Sequence, residues 1–190
     1  MPNILRSKCA IVGDSTVGKT AVTQMFISDG RNFPKNYNLT CGVELGIRTV
    51  SIPDTDDVVE LFLYDSSGRD LYADYLPKYW HEPNMLLAVY DVTSQISLDS
   101  VGRWVSMVRN SIPVRGASNA PGVLFGNKTD LKERRTVSPK AGASLAERLG
   151  LQYFEGSAKE NYGIEEPFYL LAHEWHKFIT EKRAGFDLIT

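Results

Sequence analysis

Short apolar runs and helix-periodic segments take turns along this chain. Cys9-Ala-Ile-Val12 is apolar without interruption and predicts a buried strand, and a helix-compatible stretch from about Lys19 to Ser28 follows it. Gly42 to Ile52 and Val58 to Tyr64 have strand character and are separated by Pro53-Asp-Thr-Asp-Asp57, a turn of hairpin type. Met85 to Tyr90 and Val123 to Phe125 predict further short buried strands, and one more is expected just before Glu155. Helical patterns cover roughly Leu98–Asn110, Pro139–Leu149 and Tyr162–Arg183, with Ser138 placed to cap the second and Pro139 at its first helical position. In the last segment Ile164, Phe168, Leu171, Trp175 and Phe178 recur at helical spacing and are expected to bury against the sheet. Tyr169, Ala172 and His176 form a second, partly apolar stripe, continued by Phe186, Leu188 and Ile189, and this stripe is expected to dock a permanent protein partner. Strands alternating with helices predict an α/β fold: a mostly parallel sheet, helices on both faces, and one antiparallel edge hairpin. Sites in such sheets gather beyond the carboxyl ends of the strands.

Composition narrows the picture by exclusion. Hydrophobic residues at 43% and charged residues at 23% are ordinary for a globular protein, and 190 residues suit one domain. A net charge of −2 gives no general attraction to nucleic acid or to anionic membrane, so no nucleic-acid partner is expected. The basic cluster Lys132-Glu-Arg-Arg135 reads as a solvated loop. The two cysteines, Cys9 in an apolar run and Cys41 in a polar loop, make neither a disulfide framework nor a zinc site, which suggests a reducing compartment. The start of the sequence shows no signal-peptide pattern, and Pro2 stands where myristoylation needs glycine. The longest apolar run, Met85 to Tyr90, falls far short of the about 20 residues that span a bilayer, so a soluble protein is expected.

Gly13-Asp14-Ser15-Thr16-Val17-Gly18-Lys19-Thr20 matches the phosphate-loop pattern G-x-x-x-x-G-K-[ST] between a strand and a helix. Glycines let consecutive backbone N–H groups converge on phosphate oxygens at the N-terminus of the following helix. Lys19 would reach the β and γ phosphates, and the Thr20 hydroxyl would ligate Mg²⁺. At the end of a later strand, Asn127-Lys128-Thr129-Asp130 supplies a carboxylate that can accept from the ring N–H and the exocyclic amine of guanine. Adenine offers neither donor on that edge and would leave the carboxylate unpaired. Asn127 would tie the loops together, and the Lys128 stem could cover the base. Ser157-Ala158-Lys159 follows the next strand, where the Ala158 N–H could bond the guanine oxygen and Ser157 could buttress Asp130.

These residues together resemble a small GTPase of the Ras superfamily, and the resemblance spans residues 5–183. It implies a six-stranded P-loop small-GTPase domain over residues 1–183 with a short tail at 184–190, and GTP or GDP with Mg²⁺ as cofactors. Thr40-Cys41-Gly42-Val43-Glu44 resembles switch I and the effector strand of the Rab branch, whose phosphate loop Gly13-Asp14-Ser15 also resembles. By that resemblance Thr40 would close over Mg²⁺ and the γ-phosphate, Asp65 would hold Mg²⁺ through water, and the Gly68 N–H would sense the γ-phosphate. Tyr64-Asp65-Ser-Ser-Gly68-Arg69-Asp70 resembles the family's W-D-T-A-G-Q-E, with Arg69 in place of the glutamine that orients the attacking water. Arg69 is either a resident arginine finger or a solvent-facing switch residue beside a slow reaction. A guanidinium has no acceptor for a water proton, which favours the second. The family's activators are thought to insert their own arginine and glutamine, so assisted turnover stays open. The Rab partner-reading aromatics are matched here to Leu45, Tyr64 and Trp80, an altered face for a GTP-dependent effector. No cysteine follows Cys41, so the prenyl anchor of Rabs is not expected.

Ser28-Asp-Gly30, Tyr37-Asn-Leu-Thr40, Ile52-Pro-Asp-Thr55 with Val59-Glu-Leu-Phe62, and Val123 to Leu131 are similar to the intraflagellar transport protein 27 (Rab-like protein 4) family. That resemblance implies a subunit of transport complex B, paired with intraflagellar transport protein 25, in the cytoplasm, the cilium or flagellum, and its basal body. It also implies a GTP hydrolase of low intrinsic activity. Beside a GTP/GDP switch in that complex stand two alternatives: a structural subunit whose nucleotide stabilises a partner-binding surface, and a cytosolic Rab-like switch in vesicle traffic. His173 and His176 share a helical face, but zinc needs a third ligand, and surface histidines are expected. His81 is expected to terminate a helix.

Overall fold

The computed structural model describes residues 3–36, 38–112 and 120–187, with side chains as far as Lys182. Its first strand, β1 (Ile4–Val12), is longer than the apolar run that announced it. The first half alternates, with Leu5 and Ser7 buried and Ile4 and Arg6 exposed; from Cys9 onward both faces are covered. β3 (Val58–Ser66) and β4 (Met85–Asp91) flank β1 in parallel, and β5 (Gly122–Asn127) and β6 (Gln152–Glu155) extend the sheet past β4. β2 (Val43–Ser51) is the antiparallel partner of β3, and the six-stranded sheet has the order β2-β3-β1-β4-β5-β6. The turn between β2 and β3 is closed by Ile52 N donating to Asp57 O at 3.0 Å. The mostly parallel sheet with one antiparallel edge pair agrees with the expected class.

Successive strand residues point to opposite faces, so β1 feeds two cores. Cys9 and Ile11 pack with Met25 and Phe26 of α1 (Lys19–Ile27) and Phe168 and Leu171 of α7 (Glu165–Asp187). Ala10 and Val12 pack with Trp80 of α3 (Leu76–Trp80), Trp104 of α5 (Val101–Ser111) and Ala146 of α6 (Pro139–Leu149). Phe26 and Phe168 stack with ring centroids 3.9 Å apart. Arg48 of β2 lies over the Phe26 ring, donates to Phe26 O and pairs with Asp29 and Glu165, tying β2, α1 and α7 together. Short helices α2 (Asp70–Ala73) and α4 (Gln95–Asp99) precede α3 and α5. No helix among the described residues is long and apolar enough to cross a membrane.

Helix ends follow local chemistry. α6 takes the predicted span: Ser138 Oγ accepts from Ala141 N at 3.2 Å, Pro139 begins the helix, and Gly150 leaves it left-handed. His81 ends α3 in the left-handed conformation. α7 starts later than Tyr162, because Tyr162 exchanges backbone hydrogen bonds of 2.9 and 3.0 Å with Ser157 and Gly163 then turns at φ 66°. It runs past Arg183 to Asp187; the Phe186 side chain, Leu188 and Ile189 lie outside the described part. Ile164, Phe168 and Leu171 are buried as expected, and Trp175 and Phe178 are half-buried. The second stripe needs correction. Ala172 is fully buried and His176 Nε2 sits 2.9 Å from Asp57 Oδ2 of the hairpin turn, so Tyr169 alone of the three faces solvent. The turn reaches α7 and takes up a face that periodicity left open. His176 is therefore not a surface histidine, whereas His173 is exposed.

Candidate functional site

Five strand ends converge on one rim of the sheet, as parallel order requires. The loop after β1 is built on two glycines that no other residue could replace. Gly13 has φ 142° and a Cβ there would come within 2.1 Å of Val89 O; Gly18 has φ 100° and its Cβ would meet Asn127 Nδ2 at 2.2 Å. Between them Asp14 and Ser15 are half-buried, Val17 is buried, and Thr16 is exposed with φ 67°. Lys19 is buried, and its ammonium donates to Gly13 O at 2.9 Å and Asp14 O at 2.8 Å. Burial lowers its pKa to about 8 against the pull of Asp65 and Asp14. A buried ammonium held by carbonyl dipoles is a ready seat for an anion. The Asp14 carboxylate turns away, accepting from Trp104 Nε1 at 2.8 Å, so only its backbone belongs to the loop's inner face.

Next to Lys19 three oxygen-bearing side chains meet. Thr20 Oγ1 donates to Asp65 Oδ2 at 2.5 Å and lies 3.1 Å from Thr40 Oγ1. Asp65 is buried and its Oδ1 has no partner among the described residues. Burial raises its pKa to about 6, opposed by the Thr20 bond and the Lys19 charge. Two hydroxyls and a carboxylate with an unsatisfied buried oxygen fit a hard, oxygen-seeking cation such as Mg²⁺. Gly68 lies against this end of the loop: a Cβ would approach Ser15 N to 2.3 Å. Arg69 is exposed, and its guanidinium makes no hydrogen bond or ion pair among the described residues.

At the other end Asn127 Nδ2 donates to Val17 O at 2.9 Å, and Asn127 Oδ1 accepts from Ala158 N at 3.1 Å. The Ala158 N–H expected to meet a base oxygen is thus engaged by Asn127, and a purine would have to share it. Asp130 accepts from Ser157 Oγ at 2.6 Å, with Lys159 Nζ 4.0 Å away. Lys128 donates to Thr16 O at 2.7 Å.

A cavity of about 300 Å³ lies over the phosphate loop. Besides Lys19, Thr20, Thr40 and Gly68 it is lined by Asn38 and Leu39 of the Tyr37–Thr40 stretch, and by Gln24, Phe33, Pro34 and Asn36, which belong to no motif in the sequence; Asn127, Asp130 and Ser157 do not line it. Trp80 also needs correction. It is fully buried, donating from Nε1 to Ser66 Oγ at 2.9 Å, because Leu76 and Trp80 share the inward face of α3. Tyr79, 57% exposed, stands on the surface instead, with Leu45 exposed and Tyr64 half-buried on the neighbouring strands.

The Ras family model matches residues 8–177. The chain is 46% identical over 185 residues to an intraflagellar transport protein 27 homolog of Bos taurus, covering 97% of this chain and 98% of that one. It is 45% identical to the Homo sapiens homolog, with 96% of each chain covered. It is 37% identical to intraflagellar transport protein 27 of Chlamydomonas reinhardtii, covering 96% and 90%.

Proposed function

We infer, from the premise that this chain belongs to the Ras family as a Rab-like small GTPase similar to the intraflagellar transport protein 27 homologues, that it binds GTP and GDP over the phosphate loop and serves intraflagellar transport. The observation that carries the binding half is the meeting of Lys19, Thr20, Thr40 and Asp65 at one end of a site whose other end holds Asp130 on the Ser157 hydroxyl. Backbone N–H groups of residues 13–20 and the Lys19 ammonium receive the phosphates. Asp130 reads the guanine edge, Lys128 covers the base, and the Ala158 and Lys159 segment lies against its oxygen. Thr20, Thr40 and Asp65 would hold Mg²⁺, Asp65 by way of water, and the ion would supply charge that neutralises the terminal phosphates. Gly68 offers its N–H to the γ-phosphate.

Turnover is slow in this reading. Arg69 points to solvent and can donate but not accept, so it cannot align a water as the family's glutamine does. That exposure also favours the second reading, in which nucleotide chiefly stabilises a partner-binding surface. The likeness to the intraflagellar transport protein 27 homologues supports membership of complex B in the cilium or flagellum and its basal body, exchanging with the cytoplasm, and pairing with intraflagellar transport protein 25. A GTP-dependent effector would read Leu45, Tyr64 and Tyr79.

Chromatographic identification of the nucleotide retained by the purified protein, then single-turnover hydrolysis with and without intraflagellar transport protein 25, tests both halves. Retained GDP or GTP, and a stable pair in either nucleotide state, are expected. Retained adenine nucleotide would overturn the binding assignment, and failure to pair in both states would overturn the complex.

A further inference from the structure

Asp91 closes β4 opposite Asn127 of β5, one residue short of Lys128. Its side chain is only 12% exposed, and both carboxylate oxygens are used. Oδ1 accepts from Thr93 N at 2.8 Å and from Thr93 Oγ1 at 2.7 Å. Oδ2 lies 2.6 Å from the Lys128 ammonium, whose other bond goes to Thr16 O in the phosphate loop. The two residues joined by that second bond are both left-handed without being glycine: Thr16 has φ 67° and Lys128 has φ 72°. Such conformations persist where the surroundings over-determine them, and the single ammonium touches both.

We propose that Asp91 is a positioning residue of the nucleotide site: its carboxylate fixes the Lys128 ammonium on Thr16 O, making the Lys128 side chain a rigid strut between phosphate loop and base-reading loop that slows nucleotide release. The proposal rests on the nucleotide-binding reading above. A charge is required for physical reasons. A partly desolvated ammonium that keeps only a carbonyl dipole is poorly compensated and turns outward to water. Its stem then leaves the place where it would lie along a base. A carboxylate at 2.6 Å removes that option, and Thr93 in turn prevents the carboxylate from rotating away.

Asp91→Asn tests this cleanly, since it keeps Oδ1 for Thr93 and changes only the atom facing Lys128. Release of a fluorescent GDP analogue should quicken at least about fivefold, in keeping with the loss of a charge-assisted hydrogen bond. Thermal unfolding of the nucleotide-free protein should change by clearly less than the change in release implies, because the freed ammonium can turn to water. Asp91→Asn should have no further effect on release in a Lys128→Met background, because the carboxylate acts through that ammonium. Unchanged release, or effects of the two substitutions that simply multiply, would overturn the strut. So would a loss of stability that parallels the faster release, which would mark Asp91 as a turn-former only. If the unaltered protein retains no guanine nucleotide, the functional reading fails instead. Amide exchange over residues 13–20 and 127–130, expected to be faster in Asp91→Asn, then still decides the strut.

Discussion

Asp65 and Asp130 are both buried carboxylates, yet the chain treats them oppositely. Asp130 is braced by the Ser157 hydroxyl at 2.6 Å, which in the proposed function leaves its second oxygen for a base edge, whereas Asp65 keeps one oxygen without a partner among the described residues. Asp130→Asn should therefore move preference from GTP toward xanthosine triphosphate, which lacks the amine donor. Competition binding should register a loss of about 1–3 kcal/mol for GTP, roughly fivefold to 150-fold; equal affinity of the unaltered protein for ATP and GTP would contradict the assignment. Arg69→Gln should raise the single-turnover hydrolysis rate from a value below that of Ras, itself about 3–5 × 10⁻⁴ s⁻¹. A tenfold fall instead would make Arg69 a finger. At this scale the sequence was legible wherever the chemistry is contiguous, as in residues 13–20, 127–130 and 157–159. Phe33 and Asp91 were not legible, because neither residue type signals anything until the fold sets Phe33 on the cavity and Asp91 on Lys128.

Elements show why adjacent aromatics part ways. Trp80 follows Tyr79 by one position, about 100° of helical rotation, and that step separates the core from the switch surface. Periodicity in so short a helix is too weak to choose, whereas α6, with its serine cap, proline start and glycine stop, was read to the residue. α7 was read correctly along its buried face and wrongly along its flank, since the hairpin turn that meets His176 is remote in sequence. The buried face is where most of its hold lies. Phe168→Ala removes the ring stacked on Phe26 and should destabilise the protein by about 3–5 kcal/mol, readable from the urea midpoint. His176→Ala should cost far less, because Asp57 can then turn to water.

For the molecule as a whole, the sheet order brings five strand ends to one rim, and ligand binding there should stabilise everything the sheet supports. GDP with Mg²⁺ at about a thousand times its dissociation constant should add about 4 kcal/mol, seen as a higher melting temperature; ATP should add little. EDTA should remove much of the gain, since Thr20 and Asp65 would then close on each other rather than on the ion. No change with GDP would separate this chain from the binding behaviour of its family. Alternation of strand and helix made the class and the edge hairpin legible. The strand order was not, because short apolar strands carry no mark of which neighbour they choose.

Trp80 and Trp104 give the protein a built-in light source at its working rim. One indole N–H is bonded to Ser66, between Asp65 and Gly68, and the other to Asp14 in the loop between β1 and α1. Trp175 emits from α7, packed beside Phe178 and in the other core from Trp80 and Trp104. Nucleotide loading should thus shift the ultraviolet emission of the unlabelled chain through two of its three indoles, with the third as a constant background. Replacing Trp104 by phenylalanine should silence the phosphate-loop share of the signal, and Trp80 would go on reporting from the switch. Exchange of GDP for GTP could then be followed in a cuvette without attaching a dye to anything.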